Sequence, residues 1–147
     1  MVKDLELYYK NMKKVLFAIA FILCAIASGN AQTIRNTNNS VIATIDNKGT
    51  IRNTGNSVIA RIDNNGAIRD NSNHLLGKIE SDGRIRDRNN SCLGKIENDG
   101  KVRDCNNHLL GKVESDGTVR DSNNHTLGTA KGVPQQYAAL FFFFKIF

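Results

Sequence analysis

Apolar and polar side chains follow one pattern that repeats every 17 residues from Thr33 onward. The six units occupy residues 33–49, 50–66, 67–83, 84–100, 101–117 and 118–134, and the sixth departs from the pattern in its last four positions. Within each unit, two short stretches alternate apolar with polar residues, which is typical of half-exposed β-strands. The pattern therefore predicts two strands per unit, twelve in all, and no helix within the repeats.

The boundary between units has the composition of a tight hairpin. Asp46-Asn47-Lys48-Gly49 contains turn formers, and its glycine supplies the positive φ that such a turn requires. Pairing across this turn places Ile45 opposite Ile51 on one face and Arg52 near Asp46 on the other. The corresponding apolar pairs are Ile62–Ile68, Ile79–Ile85, Ile96–Val102 and Val113–Val119. The corresponding polar pairs are Arg69–Asp63, Arg86–Glu80, Arg103–Glu97 and Arg120–Glu114.

Two positions of the unit carry further constraints. The seventh position is always asparagine, which tolerates a left-handed backbone and so indicates a polar turn shared by all units. These residues are Asn39, Asn56, Asn73, Asn90, Asn107 and Asn124. The eleventh position is always alanine or glycine, which predicts a bulge or a close approach of the strands to a central axis. These residues are Ala43, Ala60, Gly77, Gly94, Gly111 and Gly128.

A single hairpin of this kind cannot bury its own apolar face. The units are therefore expected to stack or to close into a ring, and closure removes exposed strand edges. The predicted fold is all-β: a closed or radially arranged ring of short antiparallel hairpins over residues 32–134, followed by an apolar, partly helical tail at residues 135–147. Pro134 suits the start of a short helix. Three interpretations of the tail stand: a cap over one end of the ring, a membrane or partner contact through Phe141, Phe142, Phe143 and Phe144, and a disordered extension.

The repeat and the tail together resemble those of the bacterial five-fold beta-flower proteins. The residues that carry the resemblance are Ile68-Arg69-Asp70, Leu76 to Gly83 and their later copies, then Ala130 to Pro134 and the phenylalanine run. The resemblance implies a small exported protein with hairpins arranged radially about an axis, and it implies no particular activity. Six units are present where the family name indicates five, so either one unit is a cap or the symmetry differs.

Residues before the repeats have the three parts of a secretory signal peptide. Lys13 and Lys14 precede the apolar stretch Val15–Ala27, and small residues follow at Gly29 and Ala31. Residues 1–31 are therefore predicted to be a signal peptide, with residues 1–11 as an extended start. The apolar stretch is shorter than the roughly 20 residues of a membrane span. The protein is accordingly expected to be exported to the periplasm, the outer envelope or the medium.

The charge and the cysteine content narrow the possible classes of function further. The chain has 20 Lys and Arg against 14 Asp and Glu, and from Gln32 onward 16 against 12, a difference of +4. Because both signs alternate along the repeats, the chain lacks the basic block typical of nucleic-acid binding. Beyond the leader, Cys92 and Cys105 occupy different positions of adjacent units, so incidental thiols are favoured over a disulfide.

Candidate chemistry is sparse and repeated. His74, His108 and His125 share the eighth position, where solvated turn residues are favoured over metal ligands, and Glu80 to Gly83 is interpreted as turn chemistry rather than as a calcium loop. The sequence therefore predicts a non-enzymatic envelope protein without cofactor or metal, structural or binding in role, and alternatively a membrane-associated protein held by its tail. A glycan, a protein or a membrane surface is the expected partner. The candidate binding residues are Arg35, Arg52, Arg69, Arg86, Arg103 and Arg120.

Overall fold

A computed structural model describes residues 31–147 of the chain, and the predicted signal peptide lies almost entirely outside these residues. Twelve antiparallel strands form one closed barrel in which each strand pairs with its neighbours in sequence and β12 pairs with β1. The strands are β1 Gln32–Asn36, β2 Val41–Ile45, β3 Thr50–Arg52, β4 Val58–Ile62, β5 Ala67–Arg69, β6 Leu75–Ile79, β7 Arg84–Asp87, β8 Cys92–Ile96, β9 Lys101–Arg103, β10 Leu109–Val113, β11 Thr118–Asp121 and β12 Thr126–Thr129. Helix α1 follows at Gln135–Ala139 and continues as a π-helix at Leu140–Phe144.

The barrel closes with six units, each of which contributes two strands. The predicted hairpin pairing is confirmed, because Ile45 lies opposite Ile51. The other four predicted apolar pairs are also opposite each other: Ile62–Ile68, Ile79–Ile85, Ile96–Val102 and Val113–Val119. The family name's five-fold arrangement therefore does not describe this ring, and the sixth unit is a full member of it rather than a cap.

Every unit contains a β-bulge at its tenth position. In the first unit, Ile34 pairs with Ala43 but Arg35 pairs with Val41, so Ile42 has no partner across the ladder. The same shift recurs in the other five units. The bulge increases the local twist and lets the small eleventh residue and the second residue face the lumen together. Both are fully buried in the first unit, at Ala43 and Ile34.

The inter-unit turns, at residues 46–49 and their four later copies, join neighbouring units tightly. Their glycines have φ from 78° to 86°, at Gly49, Gly66, Gly83, Gly100 and Gly117. The carbonyl oxygen of Gly49 also accepts a hydrogen bond of 3.0 Å from the amide of Ile62 in the next unit. A Cβ on Gly49 would clash with the carbonyl oxygen of Ile62. Glycine is thus required both for the turn conformation and for contact between units.

The intra-unit turns, between the two strands of each unit, use asparagine in the left-handed conformation. The six asparagines of the seventh position have φ between 62° and 69°. The side chain at the fourth position stabilises the same turn, because Asn36 Oδ1 accepts hydrogen bonds of 3.0 Å from the backbone amides of Asn38 and Ser40. The shared turn geometry predicted from the asparagine repetition is therefore confirmed.

The C-terminal plug, residues 135–147, lies inside the barrel. Ala138, Ala139 and Leu140 are fully buried and belong to the same core cluster as the inward-facing isoleucines and valines of the strands. Gln135 Nε2 donates to the carbonyl oxygen of Val113 at 2.7 Å, which fixes the start of the helix against the barrel wall. The tail therefore caps the ring from within, as a short apolar helix.

The phenylalanine rings occupy the space left by the glycines of the eleventh position. A Cβ added at Gly128 would lie 2.8 Å from Phe142, one at Gly111 2.7 Å from Phe143, and one at Gly94 2.6 Å from Phe144. Ile146 would contact a Cβ at Gly77 in the same way. Phe142, Phe143 and Phe144 thus contact the sixth, fifth and fourth units in turn, and Ile146 contacts the third. This explains the small eleventh residue that the sequence places near an axis.

The π-helical turn suits this one-residue-per-unit contact. An α-helix of about 3.6 residues per turn rotates by more than a quarter of a circle at each residue. Neighbouring units of a six-unit ring lie only a sixth of a circle apart. A π-helix, with i to i+5 hydrogen bonds, rotates less per residue and brings successive rings closer to successive glycines. Lys145, at φ 45°, then ends the helix, and the ring of Phe147 packs 4.8 Å from that of Phe141.

The expectation of two incidental thiols is wrong, because Cys92 and Cys105 form a disulfide with Cα atoms 6.0 Å apart. Cys92 lies in β8 of the fourth unit, and Cys105 lies in the intra-unit turn of the fifth. The barrel register brings these different repeat positions together, since β8 and β9 are paired neighbours. The disulfide therefore links two adjacent units on the outside of the ring.

Removing the disulfide should lower the free energy of unfolding by about 2–3 kcal/mol, because 13 residues of separation define the loop that the bond closes in the unfolded chain. Urea unfolding of the oxidised protein and of the Cys92→Ser/Cys105→Ser double variant measures this difference. Reductant should shift the midpoint of the oxidised protein toward that of the double variant and leave the variant unchanged. Equal midpoints for the oxidised protein and the variant would contradict the prediction.

Candidate binding surfaces

The six candidate arginines form an outer ring and clamp the intra-unit turns. Arg35 Nη1 donates to the carbonyl oxygen of Asn39 at 2.8 Å. The same bond recurs in the other units at 3.0 to 3.2 Å: Arg52–Asn56, Arg69–Asn73, Arg86–Asn90, Arg103–Asn107 and Arg120–Asn124. Each guanidinium thus has at least one structural partner, and only its remaining N–H donors are available to a ligand.

Four of these arginines also pair with the predicted acidic residues. The Nε–carboxylate distances are 3.2 Å for Arg69–Asp63, 3.1 Å for Arg86–Glu80, 3.3 Å for Arg103–Glu97 and 3.9 Å for Arg120–Glu114. In the first inter-unit turn, burial tends to raise the pKa of Asp46, but the amides of Thr50 and Lys48 and the charge of Arg52 outweigh burial and lower it. The Arg–acid face is therefore largely self-neutralised, as the sequence predicts.

The three histidines lie on exposed intra-unit turns and contact the aspartate four residues before them. The Nδ1–Oδ2 distances are 3.0 Å for His74–Asp70, 3.0 Å for His108–Asp104 and 3.2 Å for His125–Asp121. Within residues 31–147, no three histidine, cysteine or acidic side chains converge as metal ligands would. Each histidine is paired within its own turn rather than with a histidine of the neighbouring unit.

Stability should fall in acid because these aspartates cap their turns in the charged form. The main cause is the hydrogen bond that each carboxylate accepts from the backbone amide of the histidine four residues later. This bond lowers the pKa of Asp70, Asp104 and Asp121 below the ordinary value of 3.8. A lowered folded-state pKa adds stability above the unfolded value and loses it as pH falls through the folded value. Urea unfolding over a pH series that extends below 3.8 measures this loss.

The Asp70→Asn/Asp104→Asn/Asp121→Asn triple variant provides the matched comparison. Asn36 and Asn53 already occupy this position and accept the same two amides, so the variant should fold at neutral pH. Its stability should fall less steeply in acid, since three carboxylates no longer titrate. An acid profile identical to that of the parent protein would show that these caps are not linked to stability.

The four phenylalanines of the predicted contact site lie at the barrel end near the intra-unit turns, and each is partly buried. They pack against the core together with the partly buried bulge residues Ile59, Leu76, Leu93, Leu110 and Leu127. Ile42, Leu75 and Leu109 are more exposed, at 36%, 40% and 41%. Within residues 31–147, no helix is long and apolar enough to cross a bilayer. This end of the barrel is thus an opening filled with aromatic rings, which we call the apolar mouth.

The opposite end carries the inter-unit turns and the start of α1. A cleft of about 470 Å³ lies there between the turns of the second and third units. Gln136 and Tyr137 of the plug line one side of it, and Asp63, Asn64, Glu80 and Ser81 line the turns. A second cleft of about 250 Å³, between the third and fourth units, includes Gln135 and Gln136. The repeat pattern alone does not indicate these clefts, because each needs a plug residue.

The architecture defines the class of protein: a closed antiparallel barrel of six hairpin repeats filled by its own C-terminal helix. Residues 31–145 match the model of a protein family described as "5-fold beta-flower protein". The chain therefore belongs to the 5-fold beta-flower family, as the resemblance of its repeat and tail indicates. Comparison with curated proteins found no match, and neither did comparison with solved structures.

Proposed function

We propose that the protein is an exported, non-catalytic binding or scaffold module of the bacterial envelope. The signal-peptide pattern of residues 1–31 supports export. The Cys92–Cys105 disulfide supports it independently, because such bonds persist in oxidising compartments and are rare in the cytosol. Two unrelated features of the chain thus favour the same location.

The observation that carries the binding role is the repetition of polar side chains around the outside of a filled barrel. The lumen is occupied by Ala138, Ala139, Leu140 and the phenylalanines, so ligands meet the outer surface. Arginine, lysine, asparagine and acidic side chains recur there in unit after unit. Repeated weak contacts of this kind add up when the ligand is itself repetitive, as an envelope glycan or an extended peptide is.

Fractionation of cells that express the whole chain tests the location. The protein should appear outside the cytoplasm, without residues 1–31 and with both Cys92 and Cys105 protected from alkylation. A full-length, reduced protein in the cytoplasm would overturn export. Cross-linking in the intact envelope, followed by identification of the attached polymer or protein, tests the binding role. Recovery of the protein alone, without any attached envelope component, would count against that role.

Membrane association is a second candidate, favoured by the apolar mouth. Phe141 to Phe144 remain partly exposed there, and Ile42, Leu75 and Leu109 present exposed apolar side chains near the same end. Exposed apolar patches commonly mark interaction sites. The Ile42→Ser/Leu75→Ser/Leu109→Ser variant keeps the plug intact. Flotation with phosphatidylglycerol-containing vesicles should be weaker for this variant than for the parent protein, and a parent protein that does not float would exclude the candidate.

A further inference from the structure

The plug makes one end of a six-fold repeated barrel asymmetric. Six similar hairpins give similar outer surfaces, but within residues 31–147 a single helix enters the lumen, and it approaches particular units. Gln136 and Tyr137 line the cleft between the second and third units. The hydrogen bond from Gln135 to the carbonyl oxygen of Val113 holds this helix start in place. One inter-unit cleft therefore gains an amide and an aromatic ring that the repeats do not supply.

Each of the two carboxylates in this cleft has one oxygen bonded to an arginine, which also balances its negative charge. Asp63 Oδ2 accepts from Arg69 Nε at 3.2 Å, and Glu80 Oε1 accepts from Arg86 Nε at 3.1 Å. Asp63 Oδ1 and Glu80 Oε2 accept no hydrogen bond from any residue in the range 31–147. Each acid thus offers one acceptor oxygen while its charge is balanced by an arginine. Hydroxyl donors on a neutral ligand suit such oxygens better than a cation does.

The rest of the lining adds both hydrogen-bonding and apolar surface. Asn64, Ser81 and Gln136 are exposed, and each can donate and accept. Tyr137 is partly buried, packs against the core and lines the cleft. An aromatic body with a polar tip suits a ligand that has an apolar C–H face edged by hydroxyl groups. The volume of about 470 Å³ falls within the range of small-molecule sites, roughly 300–1,000 Å³.

Other ligand classes fit this lining less well. An anion would meet two carboxylates, and a divalent cation would meet acids already paired with arginine in a part of the chain without a three-ligand cluster. A wholly apolar ligand would leave the amides and carboxylate oxygens unpaired. A neutral sugar unit satisfies all of these groups together.

We infer that the cleft between the second and third units binds one or two residues of a neutral saccharide chain, with Tyr137 as the platform and Gln136, Asn64, Asp63 and Glu80 as hydrogen-bonding partners. This inference rests on the proposed function as a binding module and assigns that function a site. The arginines do not line the cleft, although Arg69 and Arg86 bond to its two carboxylates from the outer surface.

Amide-detected NMR titration of the mature protein tests the site. The probes are tetrasaccharides of N-acetylglucosamine, glucose in β-1,4 linkage and glucose in α-1,4 linkage, at up to about 10 mM, which detects a millimolar Kd. At least one should shift the signals of Asn64, Ser81, Gln136 and Tyr137 saturably. Tyr137→Leu and Gln136→Ala should each weaken that binding roughly tenfold, the equivalent of about 1.4 kcal/mol. Asn47→Ala, at the position equivalent to Asn64 in the first unit, should leave it unchanged.

Three results would overturn the inference. The first is the absence of shifts with every tetrasaccharide. The second is a shift of the same cleft signals by spermidine instead, which would assign the cleft to a polycation. The third is saccharide binding at the arginine ring, unaffected by Tyr137→Leu and Gln136→Ala, which would preserve the binding module and exclude this cleft. Because Gln136 is exposed, its variant remains informative even where Tyr137→Leu impairs folding.

Discussion

A chain that ends at Pro134 should fail to form a monomeric barrel. The truncation removes Ala138, Ala139 and Leu140, all fully buried, together with the rings that fill the space beside the glycines. Replacing one buried leucine by alanine costs about 2–5 kcal/mol, and whole domains are stable by only about 5–15 kcal/mol. The loss of the entire plug should therefore exceed the stability of the ring. Circular dichroism melting and analytical ultracentrifugation should reveal an unfolded or aggregated chain.

Single substitutions in the plug test the same contacts in smaller steps of stability. Leu140→Ala should lower the free energy of unfolding by about 2–5 kcal/mol. Gln136→Ala, exposed on the same helix, should change it by no more than about 0.5 kcal/mol. A truncated chain that stayed monomeric and unfolded cooperatively near the melting temperature of the intact protein would show that the plug is not part of the core.

Gly111→Leu should destabilise the protein by roughly 4 kcal/mol, because overpacking costs about 1–3 kcal/mol and the displaced aromatic ring loses further contacts. A Cβ at this position would clash with the carbonyl oxygen of Arg120 and lie 2.7 Å from Phe143. The backbone oxygen cannot move without disturbing the ladder between β10 and β11. Chemical unfolding measured by tryptophan-independent probes, such as far-ultraviolet circular dichroism, gives the difference.

Lys112→Leu is the matched control, since it introduces the same side chain one residue further along the same strand. Lys112 is partly exposed and its Nζ lies 2.9 Å from Glu114, a surface ion pair worth about 0–1 kcal/mol. Its replacement should change stability by less than about 1 kcal/mol. A Gly111→Leu variant as stable as Lys112→Leu would contradict the packing of Phe143 against this glycine.

Local geometry was predictable from the repeat because it is fixed by neighbouring residues. The Ile45–Ile51 pairing follows from a four-residue turn with glycine at its end. The left-handed asparagines follow from the short Asx side chain, which tolerates that conformation. The Arg69–Asp63 pair follows from strand alternation across the same turn. Repetition strengthens each of these predictions, because one local solution must serve six units.

The path of the plug was not predictable in the same way. Residues 135–147 occur once, so no periodicity indicates which units they contact. The glycines of the eleventh position indicate that space is restricted near an axis, but they do not indicate that Phe142, Phe143 and Phe144 fill it. The bulge at the tenth position sets the direction of the eleventh residue, and it becomes visible only in the register of the paired strands.

The candidate site and the disulfide depend on contacts between units. Cys92 and Cys105 occupy different repeat positions, and only the pairing of the fourth unit with the fifth brings them together. The arginines were predicted to face acids, yet their bonds to the asparagine carbonyls require the turn conformation itself. The cleft at Asn64 needs Tyr137 beside it, more than 70 residues away in sequence. The signal available in the sequence was Tyr137, which lies in residues 135–147, outside the repeats.

Nuclear Overhauser contacts between the plug and the glycines test the central claim most directly. In protein with labelled phenylalanine and glycine, the ring protons of Phe142, Phe143 and Phe144 should contact the Hα protons of Gly128, Gly111 and Gly94 respectively. The ring currents should also shift those glycine protons upfield. Phenylalanine rings that contact one another and the solvent, without these three glycine partners, would contradict a barrel of six units filled by its own C-terminus.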